Sequence, residues 1–346
     1  MKHILAPMAH WHHDLCSCLQ CCMASVMHYY GRDPILTLGA VWDFYYSPED
    51  LRKEEFYSPC RWSGLAESLL PYHPVTSRWH QPDDPEVGWL QVKEVVQNGS
   101  PVIVAVDNFY LPFRPAYQDI HAGHLILVYG FDEETDQVYV LDSMPPAFIG
   151  PIALTDLKAS RSSLNPADER DYFFSNAPVA NRWLELNIEA PFPQFTEKWV
   201  MDVINANLRR FTTPCDGSAL SGMSGLARYF DLLDQNMANP AGHHALEELY
   251  VLGWSIQAAT ALHADFLMQV GKQLNWPRLG SIGRQVAHLA HHWTALRMLG
   301  AHGRAHPRKI RERLMLRATQ LLADQKLVIN QLQVLLEDLN SLMERG

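Results

Sequence analysis

The apolar pattern changes character once along the chain, and that change limits the folds available to it. Before the proline-rich "PFPQFT" (191–196), short runs dense in β-branched and aromatic residues lie between helical stretches. "PVIVAVDNF" (101–109), "GHLILVYGFD" (123–132) and "QVYVLDS" (137–143) read as strands, the last two joined as a hairpin by the polar turn "EETD". After residue 196, apolar residues recur at helical spacing and strand signals nearly vanish. The fold class expected is therefore α+β, with a mixed domain over 1–195 and an all-helical domain over 196–346. A chain of 346 residues accommodates two such domains, each with its own core.

The helical part divides into "EKWVMDVINANLRRF", "SGLARYFDLLDQ", a long helix through "HALEELYVLGWSIQAATALHADFLMQVGKQL", "IGRQVAHLAHHWTALRMLG" and a terminal helix from about Arg311. In the last, Leu314, Ala318, Leu321, Val328, Leu332, Leu335, Leu339 and Leu342 keep a near-heptad stripe. That stripe is expected to pack on its own bundle rather than form a dimer seam.

Charge and targeting signals narrow the function. A net charge of -10 argues against a general nucleic-acid binder, which needs a basic face to neutralise phosphates. The one basic run is "GRAHPRKIRER" (303–313), with Arg304, Arg308, Lys309, Arg311 and Arg313. The opening "MKHILAPMAHWHH" lacks the apolar core of a secretory signal, and no stretch reads as a membrane span. A cytoplasmic location is expected, where clustered cysteines are more often catalytic or metal-binding than disulfide-paired.

Four of the six cysteines fall between residues 16 and 22, in "CSCLQCC". Structural zinc sites draw four ligands from two separated pairs, but here Cys60 and Cys215 stand alone, and His10, His12 and His13 could complete a site. A thioredoxin-type reading of Cys18 and Cys21 needs a preceding strand, and none is evident. The third reading starts from the helix. Leu19, Cys22, Met23, Val26 and Tyr30 form one apolar stripe closed by Gly31, and Ser17 with Gln20 three positions later has the form of a capping box. Cys18 is then the first helical residue, where unpaired backbone N–H groups and the helix dipole stabilise a thiolate. Cys16, Cys21 and Cys22 read as structural.

A nucleophilic cysteine needs a base, and the base needs an orienting group. His124 opens one strand of the expected hairpin and Asp142 closes the other, so the two are expected at one end of adjacent strands. His121 is the competing imidazole.

The spacing from the cysteine to "YYG" resembles the start of papain-like bacteriocin-leader peptidases, and counting back from Gly31 selects Cys18. The same helix, followed by "VDNFYLPFRPAYQDIHAGHLILVYGFD" and "VYVLDS", is similar to the butirosin biosynthesis protein H family of acyltransferases. The resemblance implies a papain-like catalytic domain in which Cys18, His124 and Asp142 form the triad. It also implies that Asp107, Tyr110 and His121 shape the substrate pocket. The glutamine that papain-like peptidases place before the cysteine is missing; "HWHHDL" stands there, with His12 or His13 as the nearest substitutes, and the Cys18 N–H is a further oxyanion donor.

The activity implied is transfer of an acyl or aminoacyl group from a carrier-protein thioester, through Cys18, to the amine of a small acceptor in natural-product or antibiotic biosynthesis. No metal is called for, and no cofactor beyond the phosphopantetheine arm of the acyl or peptidyl carrier protein. Because carrier proteins are acidic, the run 303–313 is a candidate contact for that partner. A Cys-His-Asp triad alone serves water as readily as an amine, so a cysteine peptidase or amide hydrolase stays open. So does a non-catalytic binding or zinc module.

Overall fold

The computed structural model describes the chain except residues 7, 50–53, 55, 59–63, 71, 172, 214–218, 240 and 344–346. Cys60 and Cys215 thus lie outside the described residues. In chain order the first elements are β1 (Lys2–Ile4), α1 (Cys18–Tyr29), α2 (Pro34–Leu38), β2 (Tyr45–Tyr46), α3 (Leu65–Leu69), β3 (Val75–His80) and α4 (Pro85–Gln97). There follow β4 (Val102–Asp107), β5 (Gly123–Asp132), β6 (Gln137–Asp142), β7 (Phe148–Ala153), α5 (Leu154–Arg161) and β8 (Trp183–Ile188). The remainder is α6 (Glu197–Thr212), β9 (Leu220–Ser221), α7 (Gly222–Ala238), α8 (Gly242–Gln273), α9 (Pro277–Gly303) and α10 (Pro307–Met343). The α+β class expected from the sequence is the class observed. The chain forms two compact units, one of Met1–Pro34, Arg52–Tyr57 and Val75–Ile188, the other of Ile35–Leu51, Ser58–Pro74 and Glu189–Gly346.

The first unit is built on an antiparallel sheet in the order β3-β8-β4-β5-β6-β7, with β1 also paired to β5. Every residue of β4 and β5 is buried, which explains why these strands read as unbroken apolar runs rather than alternating ones. Helix α1 packs on β5, and α5 on β4. The expected single stripe on α1 understates its burial: Cys18 to Met27 are all buried, so the helix is enclosed on every side, while Tyr30 lies past its end and is 37% exposed. The helix stops as expected at Gly31, whose φ of +67° allows its N–H to reach the His28 carbonyl while the Arg32 N–H reaches that of Met27. Helix α4 begins at Pro85 because Asp84 caps it, accepting from the Glu86 N–H at 2.7 Å, and Pro85 supplies the first helical φ.

The second unit is a helical bundle in which α8 and α9 form the main antiparallel pair. Leu314, Ala318, Leu321, Val328, Leu332 and Leu335 of α10 are buried, so this part of the heptad stripe packs within the bundle; Leu339 is half-buried, and the side chain of Leu342 lies outside the described residues. The helix starts at Pro307, four residues before the expected Arg311. An early stretch of chain is threaded into this bundle. The Gly39 carbonyl accepts from His263 Nδ1 at 2.7 Å, and the Trp42 indole N–H donates to Thr260 Oγ1 at 3.4 Å. A Cβ on Gly39 would lie 2.4 Å from the Leu262 carbonyl, so only glycine fits there.

His263 is fully buried between the rings of Trp42 and Phe266, and burial pushes its pKa down to about 4. In the unfolded chain the imidazole titrates near its ordinary value of about 6.5. Between these values the unfolded chain binds a proton that the folded one does not, so acidification across that window should remove up to roughly 3 kcal/mol of stability. Urea unfolding at pH 7 and pH 5 checks this: His263→Gln should lose less stability over that interval than the wild type.

Candidate active site

Ser17 occupies the N-cap of α1 with extended dihedrals, and the Gln20 Oε1 accepts its backbone N–H at 3.1 Å and also its hydroxyl. This is the arrangement expected from the sequence, and it fixes Cys18 as the first helical residue. The N–H groups of the first turn have no acceptor within the helix and point toward anything bound at its start. Cys16, Cys18, Cys21 and Cys22 are all buried thiols.

Two contacts lock α1 to the sheet below the cysteine. Cys22, one turn beyond Cys18, lies 3.5 Å from the Leu125 carbonyl, and Ser25 Oγ lies 3.3 Å from Ser143 Oγ. Each sheet partner is the immediate neighbour of a residue expected in the triad, His124 in one case and Asp142 in the other.

His124 Nε2 and the Asp142 Oδ2 are 2.9 Å apart, with both residues buried. This contact depends on an irregularity in β5. Near the hairpin turn the pairing runs Asp132 with Gln137 and Gly130 with Tyr139, then shifts by one residue at Tyr129 so that Val128 pairs with Val140 and Leu127 with Leu141. Continued without the shift, the first register would set Asp142 opposite Leu127, with its side chain on the face away from His124. The bulge sets it opposite Ile126 instead, on the same face as His124 and one diagonal step away. Gly130 serves the same spot: a Cβ there would come within 3.0 Å of the His3 carbonyl on β1.

Asp142 also accepts from Arg114 Nη1 at 3.1 Å and from the Met144 N–H at 2.9 Å. Burial works to raise its pKa, but the charge and hydrogen bond of His124, the Arg114 guanidinium and the Met144 N–H outweigh it and hold the carboxyl below its usual range. The result is an anchored carboxylate that fixes the orientation of the His124 ring through Nε2. Arg114 is the site residue that sequence reasoning missed. It stands inside the quoted "NFYLPFRPAYQDIH", yet nothing in its spacing points to Asp142.

The residues expected in the substrate pocket form a second carboxylate–imidazole pair. Asp107 is fully buried and accepts from His121 Nδ1 at 2.7 Å, Ser163 Oγ at 2.5 Å, and the N–H groups of Phe109 and Ala122 at 3.1 and 3.2 Å. The His121 ring stacks on Phe109 at 4.1 Å, and the Tyr110 ring meets it edge-on at 6.2 Å. Because Val106 pairs with His124 and Asp107 with Gly123, the Asp107 side chain leaves the sheet on the face opposite His124. His121 thus has its own carboxylate, separate from the one that orients His124.

Of the histidines before the cysteine, His12 Nε2 lies 3.1 Å from Asp14, while His13 accepts the Leu15 N–H through Nδ1 and stacks on Trp11. Among the described residues, the one group whose donor atoms converge as metal ligands would is His243, His244 and Glu247, not the cysteine cluster. That trio fits a cation poorly. Glu247 is already paired with Arg304, and the first turn of α8 presents the positive end of the helix dipole.

Residues 17–143 match a family model described as butirosin biosynthesis protein H, N-terminal. No curated protein matches the chain. The matched segment begins one residue before Cys18 and ends one residue after Asp142.

Four donors converge on one buried carboxylate at Asp107, so Asp107→Ala should destabilise the first unit by about 3 kcal/mol or more. Urea unfolding followed by circular dichroism measures this; a loss under about 1 kcal/mol would mean that the loop 108–122 does not depend on that carboxylate.

Proposed function

Because residues 17–143 match the N-terminal model of the butirosin biosynthesis protein H family, we propose that the protein is a cysteine-dependent acyltransferase of natural-product biosynthesis. It moves an acyl or aminoacyl group from a carrier-protein thioester to an amine. The observation that carries this reading is the pairing of His124 with Asp142 at zero and 1% exposure, in a matched segment that brackets Cys18 and Asp142.

In the first half-reaction the Cys18 thiolate attacks the donor thioester carbonyl. The bond from carbon to Cys18 forms, the bond to the pantetheine sulfur breaks, and His124 returns a proton to the departing thiol. In the second, the acceptor amine attacks the acyl–Cys18 carbonyl, His124 takes the amine proton, and the amide forms as the Cys18 sulfur leaves. The donor enters already activated, so the step needs no nucleotide. The tetrahedral oxyanion is stabilised by N–H groups at the start of α1, including that of Cys18. The burial of Cys18, His124 and Asp142 supports transfer over hydrolysis, because a thioester shielded from bulk water survives until an amine arrives.

Incubation with an acyl-pantetheine thioester followed by intact-mass spectrometry should show a single acyl adduct. Peptide mapping should place it on Cys18, and Cys18→Ala should carry none. An adduct on another cysteine would overturn the assignment. Release of free acid at the same rate with and without a primary amine would favour the hydrolase.

The orienting role of Asp142 has a separate consequence. Asp142→Asn keeps the shape of the site but not the imidazole orientation, and should slow Cys18 acylation on the order of a thousandfold or more. Single-turnover rates measure this, and a loss under tenfold would remove Asp142 from the mechanism.

A further inference from the structure

The hairpin of α9 and α10 bears a groove of about 370 Å³ lined by Ala295, Met298, Leu299 and Ile310, with Arg313 and Arg317 beside them. Met298 is 42% exposed, an apolar side chain left open to solvent in the groove wall. The neighbouring cations sort into two sets. Arg304 and Arg311 turn inward onto Glu247 and Asp234. Arg308, Lys309, Arg313 and Arg317 are exposed, and among the described residues none of them has an acidic partner. Lys309, Arg313 and Arg317 recur every four residues, so they share one face of α10. Against these four cations the same stretch offers a single carboxylate, Glu312, on a chain whose net charge is -10.

We infer that this groove docks an acidic amphipathic helix, whose apolar ridge enters between α9 and α10 while its carboxylates meet the row of Lys309, Arg313 and Arg317. The occupant is the acyl-donor carrier protein, an assignment that rests on the function proposed above. A concave apolar trough with a cationic border fits a helix laid along it. A second copy of this chain fits badly, because a two-fold contact would set the same cations against each other. A nucleic-acid backbone has no apolar ridge to enter the trough, and a lipid surface is too flat to fill it. Opposite charge at the border speeds encounter and fixes register, and the apolar lining holds the complex.

The test uses the full-length protein and an acyl carrier protein labelled with a fluorophore on its phosphopantetheine thiol. Anisotropy titrations compare the wild type, the Arg313→Glu/Arg317→Glu double variant and Met298→Asp, with circular dichroism to verify folding; all three positions are exposed. The inference expects binding by the wild type that weakens with salt, and a Kd raised at least about tenfold in each variant. Unchanged binding in both variants, no binding by the wild type, or wild-type binding to phosphatidylglycerol vesicles in place of the carrier overturns it. Acylation of Cys18 by free acyl-pantetheine thioester separates the two proposals. If acylation proceeds while carrier binding ignores the arginines, the docking surface alone is wrong. If acylation fails while binding depends on them, the transferase reading is wrong and the docking surface stands.

Discussion

One extra residue in β5 decides which way Asp142 faces, and the contact between Asp142 and His124 follows from it. Without the shift at Tyr129, the carboxylate would leave the sheet on the wrong side and the imidazole would be buried with no carboxylate at its Nε2. An unpaired polar group at that depth costs several kcal/mol, so the bulge is coupled to stability as well as to the site. The same stretch of strand carries Gly130, pressed against β1, and Leu125, whose carbonyl meets Cys22 of α1. Helix, edge strand and hairpin therefore constrain one another around a short piece of β5.

Among the described residues, two buried carboxylates of the unit, Asp142 and Asp107, each hold an imidazole near one end of the sheet, and their surroundings separate them. Asp142 is flanked by Arg114 and fixed by a backbone N–H, which keeps it ionised in spite of burial. Asp107 is enclosed by two hydroxyl- and ring-bearing side chains and two backbone N–H groups, so its first task is to hold the loop after β4 in place. In the mechanism proposed above, the first pair is the acid–base partner of Cys18. The second pair faces the other side of the sheet and meets α5 through Ser163, just past its end.

Much of this was readable from the residues, and the unreadable parts share a cause. Ser17 and Gln20 announce the start of α1 because capping is local, and Gly31 announces its end for the same reason. Unbroken apolar runs announce the two central strands because burial on both faces removes alternation. The bulge at Tyr129 left no mark, since a one-residue shift in pairing is decided by what lies across the sheet. Arg114 went unrecognised because its carboxylate is 28 positions away. The threading of residues 35–49 into the helical unit was equally silent, because Gly39 and Trp42 look like ordinary loop residues until Leu262 and Thr260 are placed beside them.

The central claim is that the helix start and His124 together keep Cys18 ionised. Ultraviolet thiolate absorbance, taken as the difference between the wild type and Cys18→Ser across a pH titration, reads that state without requiring a reagent to reach the buried sulfur. One thiolate should already be present at neutral pH, well below the ordinary cysteine midpoint of about 8.5, and it should move toward that midpoint in His124→Asn. A difference signal that emerges only at alkaline pH, or that is the same with and without the imidazole, would contradict the claim.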